Sequence, residues 1–275
     1  YSTNDDGTVT ITGYNGSDTE ITIPSEIDGK SVTEIGEDAF SGCDKITNVI
    51  IPDSVTIIGR SAFNGCDGLT NITIPDNVTY LGEVYAKSAS ALSECKNLTN
   101  VTVSENNKTY SSQDGVLFNK DKTELIMCPR GKSGIYEIPD SVNLIRMAAF
   151  QDCQELTGIT IPDSVTTIDT WAFMRCMKLK SVTIPDSVTL INYMAFGYSK
   201  IDQSSIDGFT IYGMKNSVAE TYAKENNMKF VAINEPIVEP SEEPSTEPSS
   251  TPEQPSKDEP SKTTDTSNTD IPNTD

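Results

Sequence analysis

Cysteine and carboxylate side chains are the candidates for catalysis and metal binding in this sequence. Its 275 residues include six cysteines, 41 acidic residues and no histidine. The lack of histidine excludes the Ser-His-Asp and Cys-His nucleophile systems and removes the commonest transition-metal ligand. Two carboxylates at a set separation would still suffice for glycoside hydrolysis. We therefore expect a protein that is not an enzyme, with a carboxylate-based glycosidase as an alternative.

Five of the cysteines form a regular series, and only Cys128 lies outside it. Each member follows a recurring Phe or Leu by three residues: Cys43, Cys66, Cys95, Cys153 and Cys176. A small, weakly polar side chain suits the inner corner of a repeating unit. We expect buried free thiols, with disulfides between neighbouring units or a metal as alternatives. Lone cysteines without histidine are poorly spaced for zinc, so we predict no metal and no cofactor.

Aspartates also recur, each directly after a proline: Asp53, Asp76, Asp140, Asp163 and Asp186. Calcium could bridge stacked carboxylates. We favour a local role, in which each aspartate caps its own turn by accepting hydrogen bonds from backbone amides.

The charge balance limits the partners. A net charge of -21 repels nucleic acid and anionic lipid. No stretch approaches the roughly 18 uncharged apolar residues that span a bilayer. The chain starts at Tyr1 without a basic and apolar leader, which suggests a trimmed mature form. We expect a monomer that binds no nucleic acid and does not insert directly into a membrane.

The phrase IPDSV and its variants recur along the first 234 residues, with spacings of 23 residues where no insertion intervenes. The registers lie at Pro24, Pro52, Pro75, Ser104, Pro139, Pro162 and Pro185. Valine, Ile/Leu and Phe/Leu columns repeat with the same period, and segments such as NITIP alternate apolar and polar residues. Periods of about 20 to 30 residues are typical of solenoids, and the alternation predicts short strands. We therefore predict a repeat solenoid of stacked short parallel β-strands with irregular outer segments.

The two ends and one insertion depart from the repeat. Residues 1–24 are predicted to form an N-terminal cap with a strand pair around a Gly/Asn turn. Residues 208–234 are predicted to form a C-terminal cap, with a helix that starts at Ser217 and Glu220 and a last strand KFVAI. Between Ser104 and Pro139, two β-prone runs around NKDKTE predict a hairpin.

Residues 235–275 differ from the rest of the chain in composition. Prolines recur at 236, 240, 244, 248 and 252 among Ser, Thr and acidic residues, with almost no apolar side chains. Such a segment cannot bury enough apolar surface to offset the entropy of ordering. We predict a disordered acidic linker that acts as a stalk, with a plain disordered terminus as the alternative.

Several of these segments resemble BspA-like leucine-rich-repeat proteins of bacterial surfaces. The resemblance is carried by SVTxIGxxAFxxCxxLTxITIP, by DGVLFNKDKTELIMCP and by the closing FTIYGMKNSVAETYAKENNMKFVAI. It implies a leucine-rich-repeat solenoid, a secreted or surface-attached location, and adhesion to a protein or glycan on host, matrix or neighbouring cells. It carries over no catalytic residue. In related anaerobes such a linker often leads to a wall anchor or a dockerin, so an accessory subunit of a polysaccharide-degrading complex is an alternative.

Two surfaces are candidates for contact with a partner. The first, the strand face, consists of outward polar residues on the predicted strands: Asn71, Thr73, Asn100, Thr102, Thr160 and Thr183. These residues offer hydroxyls and amides to a protein or glycan. They are also what a solvated strand prefers.

The second candidate, the apolar turn surface, lies where positions that are polar in early repeats become apolar in late ones: Met147, Trp171, Met174, Met177, Tyr193 and Met194. Contiguous exposed apolar surface marks interaction sites, and Trp and Tyr dominate binding hot spots. The alternative is that the capping helix or an irregular loop covers these residues.

Overall fold

The computed structural model describes residues 1–82 and 90–233. Its first ten strands are β1 (Ser2–Thr3), β2 (Val9–Ile11), β3 (Glu20–Thr22), β4 (Glu26–Ile27), β5 (Lys30–Ile35), β6 (Asn48–Ile50), β7 (Ile57–Ile58), β8 (Asn71–Ile74), β9 (Tyr80–Leu81) and β10 (Asn100–Val103). The next nine are β11 (Tyr110–Gln113), β12 (Val116–Asn119), β13 (Glu124–Met127), β14 (Gly134–Glu137), β15 (Leu144–Ile145), β16 (Leu156–Thr160), β17 (Thr167–Ile168), β18 (Ser181–Thr183) and β19 (Leu190–Ile191). The chain continues through β20 (Thr210–Gly213), helix α1 (Val218–Glu225) and β21 (Lys229–Ala232). The predicted linker 235–275 lies outside the described residues.

Each regular repeat contributes two short strands to two sets of parallel pairs. The strands that precede the turn prolines, together with β10, β20 and β21, form β3–β6, β8–β10, β14–β16 and β18–β20–β21. The second set joins β2–β5–β7–β9 and β13–β15–β17–β19. The first set confirms the predicted stack of parallel strands. The second set was not predicted, because strands of two residues are too short to show an alternating pattern.

The predicted columns form the core. All six members of the valine column are buried: Val32, Val55, Val78, Val142, Val165 and Val188. The aromatic column is also buried, and its rings stack nearly parallel. The ring centroids of Phe40 and Phe63 lie 5.1 Å apart, and those of Phe150 and Phe173 lie 4.6 Å apart. Because no coil can bury its own apolar face, these contacts between neighbours hold the stack together.

The cysteines complete the corner beside the phenylalanines. The Sγ of Cys66 donates to the carbonyl of Phe40 at 3.1 Å, and Cys176 donates to the carbonyl of Phe150 at 3.0 Å. These two thiols therefore add a second hydrogen bond to carbonyls that already accept the amides of Cys43 and Cys153. The described ranges include all six cysteines and hold no disulfide; five cysteines are buried and Cys43 is half-buried.

The insertion between Ser104 and Pro139 is a three-stranded antiparallel unit. Strand β12 pairs with β13, as the predicted hairpin requires, and also with β11. Its side chains alternate between two core clusters, with Leu117 in the N-terminal cluster and Val116 and Phe118 in the C-terminal one. The insertion thus connects the two halves of the core.

A buried ion-pair network crosses the same region. Arg130 pairs with Glu94 at 2.6 Å and with Asp152 at 3.2 Å, and Arg175 Nε lies 2.8 Å from Asp152. The side chains of Arg130 and Asp152 are only 14% and 3% exposed. Arg130 therefore links a coil before the insertion to a coil after it.

The ends of the repeat array are built differently from each other. The predicted N-terminal strand pair is wrong, because β2 and β3 pair in parallel with β5 and β6. Val9 lies opposite Val32, 23 residues later, so this segment is itself a first coil. The C-terminal helix is confirmed: the side chain of Ser217 accepts from the amide of Glu220, and the cap at the other end is Asn226.

We predict that Arg130→Leu lowers the free energy of unfolding by about 1.5–3 kcal/mol, because the buried Asp152 carboxylate loses one of its two cationic partners and keeps Arg175. The matched control is Lys178→Gln, which removes the exposed ion pair with Glu155. This control should cost less than about 1 kcal/mol. Urea unfolding followed by circular dichroism measures both, and equal small losses would contradict the prediction.

A second prediction concerns the thiols. Burial raises the pKa of both Cys66 and Cys95 to about 12, so very little thiolate forms at pH 8. We expect iodoacetamide to modify the half-buried Cys43 first in the native protein, and the other five only after denaturant is added. Mass spectrometry of the adducts over time measures this order. Early modification of Cys95 in the folded protein would contradict it.

Candidate interaction surface

The strand face runs over three separate parallel pairs, β8–β10, β14–β16 and β18–β20. Asn71 pairs with Asn100 and Thr73 with Thr102 across β8 and β10. Thr73, Thr102, Thr160 and Thr183 are exposed, as is Asn71, whereas Asn100 is half-buried. The buried neighbours on the same strands, such as Ile72 and Ile74, hold these polar side chains outward.

The strand face also contains residues that the sequence analysis missed. Thr160 lies opposite Glu137, and Thr183 lies opposite Tyr212. Ile135 is 73% exposed, and its side chain packs against Gly158. A Cβ atom at residue 158 would lie 3.0 Å from Cγ1 of Ile135. Alignment on Pro139 places Ile135 and Glu137 in the slots of Asn71 and Thr73, so the repeat register itself carried the signal.

Two shallow depressions lie at opposite ends of the strand face. One, of about 330 Å³, is lined by residues that include Ile50, Asn71, Thr73 and Asp53. The other, of about 510 Å³, is lined by residues that include Ile159, Thr160, Asp163, Thr183, Asp186 and Ile233. Four of the six predicted strand-face residues therefore border one of the two depressions.

The recurring aspartates do not cap their own turns, so that expectation is wrong. The turns are closed by the backbone, with the amide of Val55 donating to the carbonyl of Pro52 at 3.1 Å and Val165 donating to Pro162 at 3.1 Å. Asp76 instead accepts hydrogen bonds from Ser104 and Asn106 of the next unit. In the part of the chain that the structure describes, no group of acidic and cysteine side chains has the arrangement of a metal site.

The apolar turn surface is only partly exposed. Met174 and Met194 are both 0% exposed, so the expectation that they face a partner is wrong. Trp171 and Met147 are half-buried, whereas Tyr193 is 55% and Met177 is 40% exposed.

An irregular loop, residues 198–206, lies against this surface. Arg175, next to Met174, donates its amide to the carbonyl of Tyr198 at 2.8 Å. Gln203 donates its side-chain amide to the hydroxyl of Tyr193 at 3.0 Å. The loop is therefore bonded to residues of this surface, in line with the alternative that an irregular loop covers it.

The residues that stay accessible occupy different positions of the repeat. The amide of Trp171 donates to the carbonyl of Tyr193 at 3.1 Å, so these two are neighbours. Met177 occupies the slot of Gln154, beyond the phenylalanine column. The indole Nε1 of Trp171 is buried and has no hydrogen-bond partner among the described residues. We therefore consider the strand face the better candidate.

We predict that Met194→Ala lowers the free energy of unfolding by about 2–5 kcal/mol, because it creates a cavity at a fully buried site. Its neighbour Tyr193 is the matched control, and Tyr193→Ala should change stability by less than about 0.5 kcal/mol because the ring is largely exposed. Chemical denaturation of the two variants checks the difference. If both cost the same, Met194 is not part of the core.

Comparison with known families and structures places this fold. The sequence matches the model of the BspA type leucine rich repeat region in six copies, over residues 14–131 and 132–236. None of the curated proteins matches the sequence. Within the described ranges, no helix is both long and apolar enough to cross a membrane.

Solved structures with a similar fold come from several bacteria. A leucine-rich repeat protein from Eubacterium ventriosum is 24% identical, with 76% of this chain and 67% of that chain covered and a TM-score of 0.48. The leucine rich repeat protein of T. pallidum is 22% identical, with 84% and 94% covered and a TM-score of 0.49. A leucine rich cell surface protein from Faecalibacterium prausnitzii is 26% identical, with 69% and 62% covered and a TM-score of 0.43.

All three TM-scores are below 0.5, so the family assignment follows from the repeats and not from these superpositions. The family model spans both halves of the stack and includes the insertion between them. The chain belongs to the BspA-type leucine-rich-repeat family.

Proposed function

We propose that this chain is a non-catalytic binding module of the bacterial cell surface or exterior, and that it recognises a protein partner through the strand face. The observation that carries the proposal is the series of exposed, mostly uncharged side chains on the parallel pairs β8–β10, β14–β16 and β18–β20, with a depression towards each end. Leucine-rich repeats of this type generally mediate protein interactions, which supports the same class of function.

The chemistry of these side chains suits reversible binding to a protein. Hydroxyl and amide groups such as those of Thr73 and Asn71 both donate and accept hydrogen bonds. They lose less solvation free energy on burial than charged groups do. Because the strands are fixed by buried neighbours and by the next coil, little conformational entropy is lost when a partner binds.

Location and attachment are part of the proposal. One of the similar structures is that of a protein described as a leucine rich cell surface protein. The composition of residues 235–275 is suited to a spacer that holds the repeats away from the cell. Adhesion to host, matrix or neighbouring cells is the role we assign to such a displayed surface.

The proposal predicts that Thr160→Arg combined with Thr183→Arg abolishes partner binding, because two long cationic side chains would obstruct the strand face. The matched control is Thr166→Arg with Thr189→Arg, two exposed threonines with the same 23-residue spacing on the turn beyond the proline. The probes are arrays of purified matrix and bacterial-surface proteins, with glycans printed alongside. We expect the control pair to retain binding.

Equal loss in both pairs would contradict a strand-face site. Binding to glycans alone would show that the partner is not a protein. Circular dichroism of each double variant confirms that the fold is retained.

A further inference from the structure

The larger depression of the strand face combines an apolar floor with an acidic rim. It has a volume of about 510 Å³ and lies where β16 and β18 end, beside the residues that follow β20 and β21. Ile159 and Met214 are half-buried within it, and Ile233 is 37% exposed. Apolar surface that remains open to water in this way is favourable to cover.

Two carboxylates border this floor. Asp163 and Asp186 occupy equivalent positions on successive coils, 23 residues apart, and both are exposed. Within the described residues neither forms a hydrogen bond or an ion pair, in contrast to Asp76 of an earlier coil. The two coils that carry these carboxylates are hydrogen-bonded to each other at β17 and β19, where Thr167 lies opposite Leu190, so one planar cation can reach both carboxylates.

The hydroxyls of Thr160 and Thr183 border the same depression and belong to the strand face itself. A partner bound there would touch an apolar floor, two hydroxyls and two free anions. A Lys or Arg side chain fits this combination, because its aliphatic stem covers apolar surface while its charged end reaches the carboxylates. The guanidinium group fits best, since its fork of donors can serve two carboxylates at once.

The charge of the whole chain favours the same occupant. A net charge of -21 attracts cationic segments over long distances and repels anionic ones. The depression is therefore complementary to a basic polypeptide both locally and at long range.

We infer that this depression binds a basic segment of a protein partner, with an Arg or Lys side chain lying on the apolar floor between Asp163 and Asp186. The inference rests on the proposed function and names the chemical class of the partner. It identifies the depression as the site that favours a basic partner over a neutral or acidic one.

The test uses the full chain and a fluorescein-labelled peptide of Ser-Leu-Arg-Leu repeats, with fluorescence anisotropy as the readout. Asp163→Asn combined with Asp186→Asn should weaken binding about fivefold, since two partly exposed ion pairs of about 0.5 kcal/mol each are lost. The matched control is Asp121→Asn with Asp140→Asn, which makes the same change in net charge at exposed positions outside the depression. This control should change the affinity by less than about twofold.

Two further comparisons test the floor and the charge. Ile233→Ser should weaken binding, whereas Ile201→Ser, at a residue that is also exposed but lies elsewhere, should not. The same peptide with citrulline in place of arginine keeps the shape and loses the charge. It should bind at least about fivefold more weakly.

Several results would overturn the inference. Equal losses of affinity in the two aspartate pairs would mean that the peptide binds by general electrostatic attraction. Equal affinity for the citrulline peptide would mean that the positive charge does not contribute to binding. The chain is also tested for self-association by analytical ultracentrifugation. If it self-associates and Asp163→Asn with Asp186→Asn abolishes this, the depression binds a second copy of the chain and the inference is wrong. If the threonine-to-arginine pair blocks an array partner while the aspartate pair affects neither that partner nor the peptide, this inference fails and the proposed function stands.

Discussion

The corner at the phenylalanine column is the part of the structure on which the rest depends. There the backbone amide of one coil donates to a carbonyl of the next, from Phe40 to Ala62 at 2.7 Å and from Phe150 to Ala172 at 2.7 Å. The phenylalanine rings stack on one another, and cysteine thiols such as that of Cys66 donate hydrogen bonds to the phenylalanine carbonyls. A buried corner must satisfy all its polar groups. It can do so only if successive coils keep the same register, and that register also fixes where the outward side chains lie.

The corner has a conformational cost that explains why its outer residues vary. Positive φ angles recur at equivalent positions, as at Asp38, Ser61, Trp171 and Met194. A left-handed conformation costs a residue other than glycine about 1–2 kcal/mol, and least for short polar side chains. Asp38 fits that preference, whereas Met194 offsets the strain by complete burial. One backbone position therefore serves as solvated turn in an early coil and as core in a late one.

Much of this architecture could be predicted from the sequence, because the contacts between coils recur with the same period as the sequence. The valine and phenylalanine columns, the strands before each proline and the helix after Ser217 all follow from local pattern and spacing. Contacts that do not recur from one repeat to the next could not be predicted. The network around Arg130 joins residues of three different coils, and the backbone of Arg175 is bonded to Tyr198 of the irregular 198–206 loop. On the strand face, Thr160 and Thr183 could be predicted as outward residues, whereas the depression beside them needs Met214 and Ile233, which follow strands outside the regular repeat.

The separation of core and surface along each strand explains how one scaffold can carry a specific site. On β8, Ile72 and Ile74 are buried while Asn71 and Thr73 face outward, so outward residues can differ without altering the corner contacts. Specificity must then arise where the series of outward side chains is interrupted, because identical slots present identical groups. The series is interrupted beside Ile135 at the insertion and at its C-terminal end, where Met214 and Ile233 replace another proline turn. A partner that distinguishes this stack from a uniform one must therefore contact these irregular positions, and the C-terminal one joins apolar surface to the carboxylates of Asp163 and Asp186.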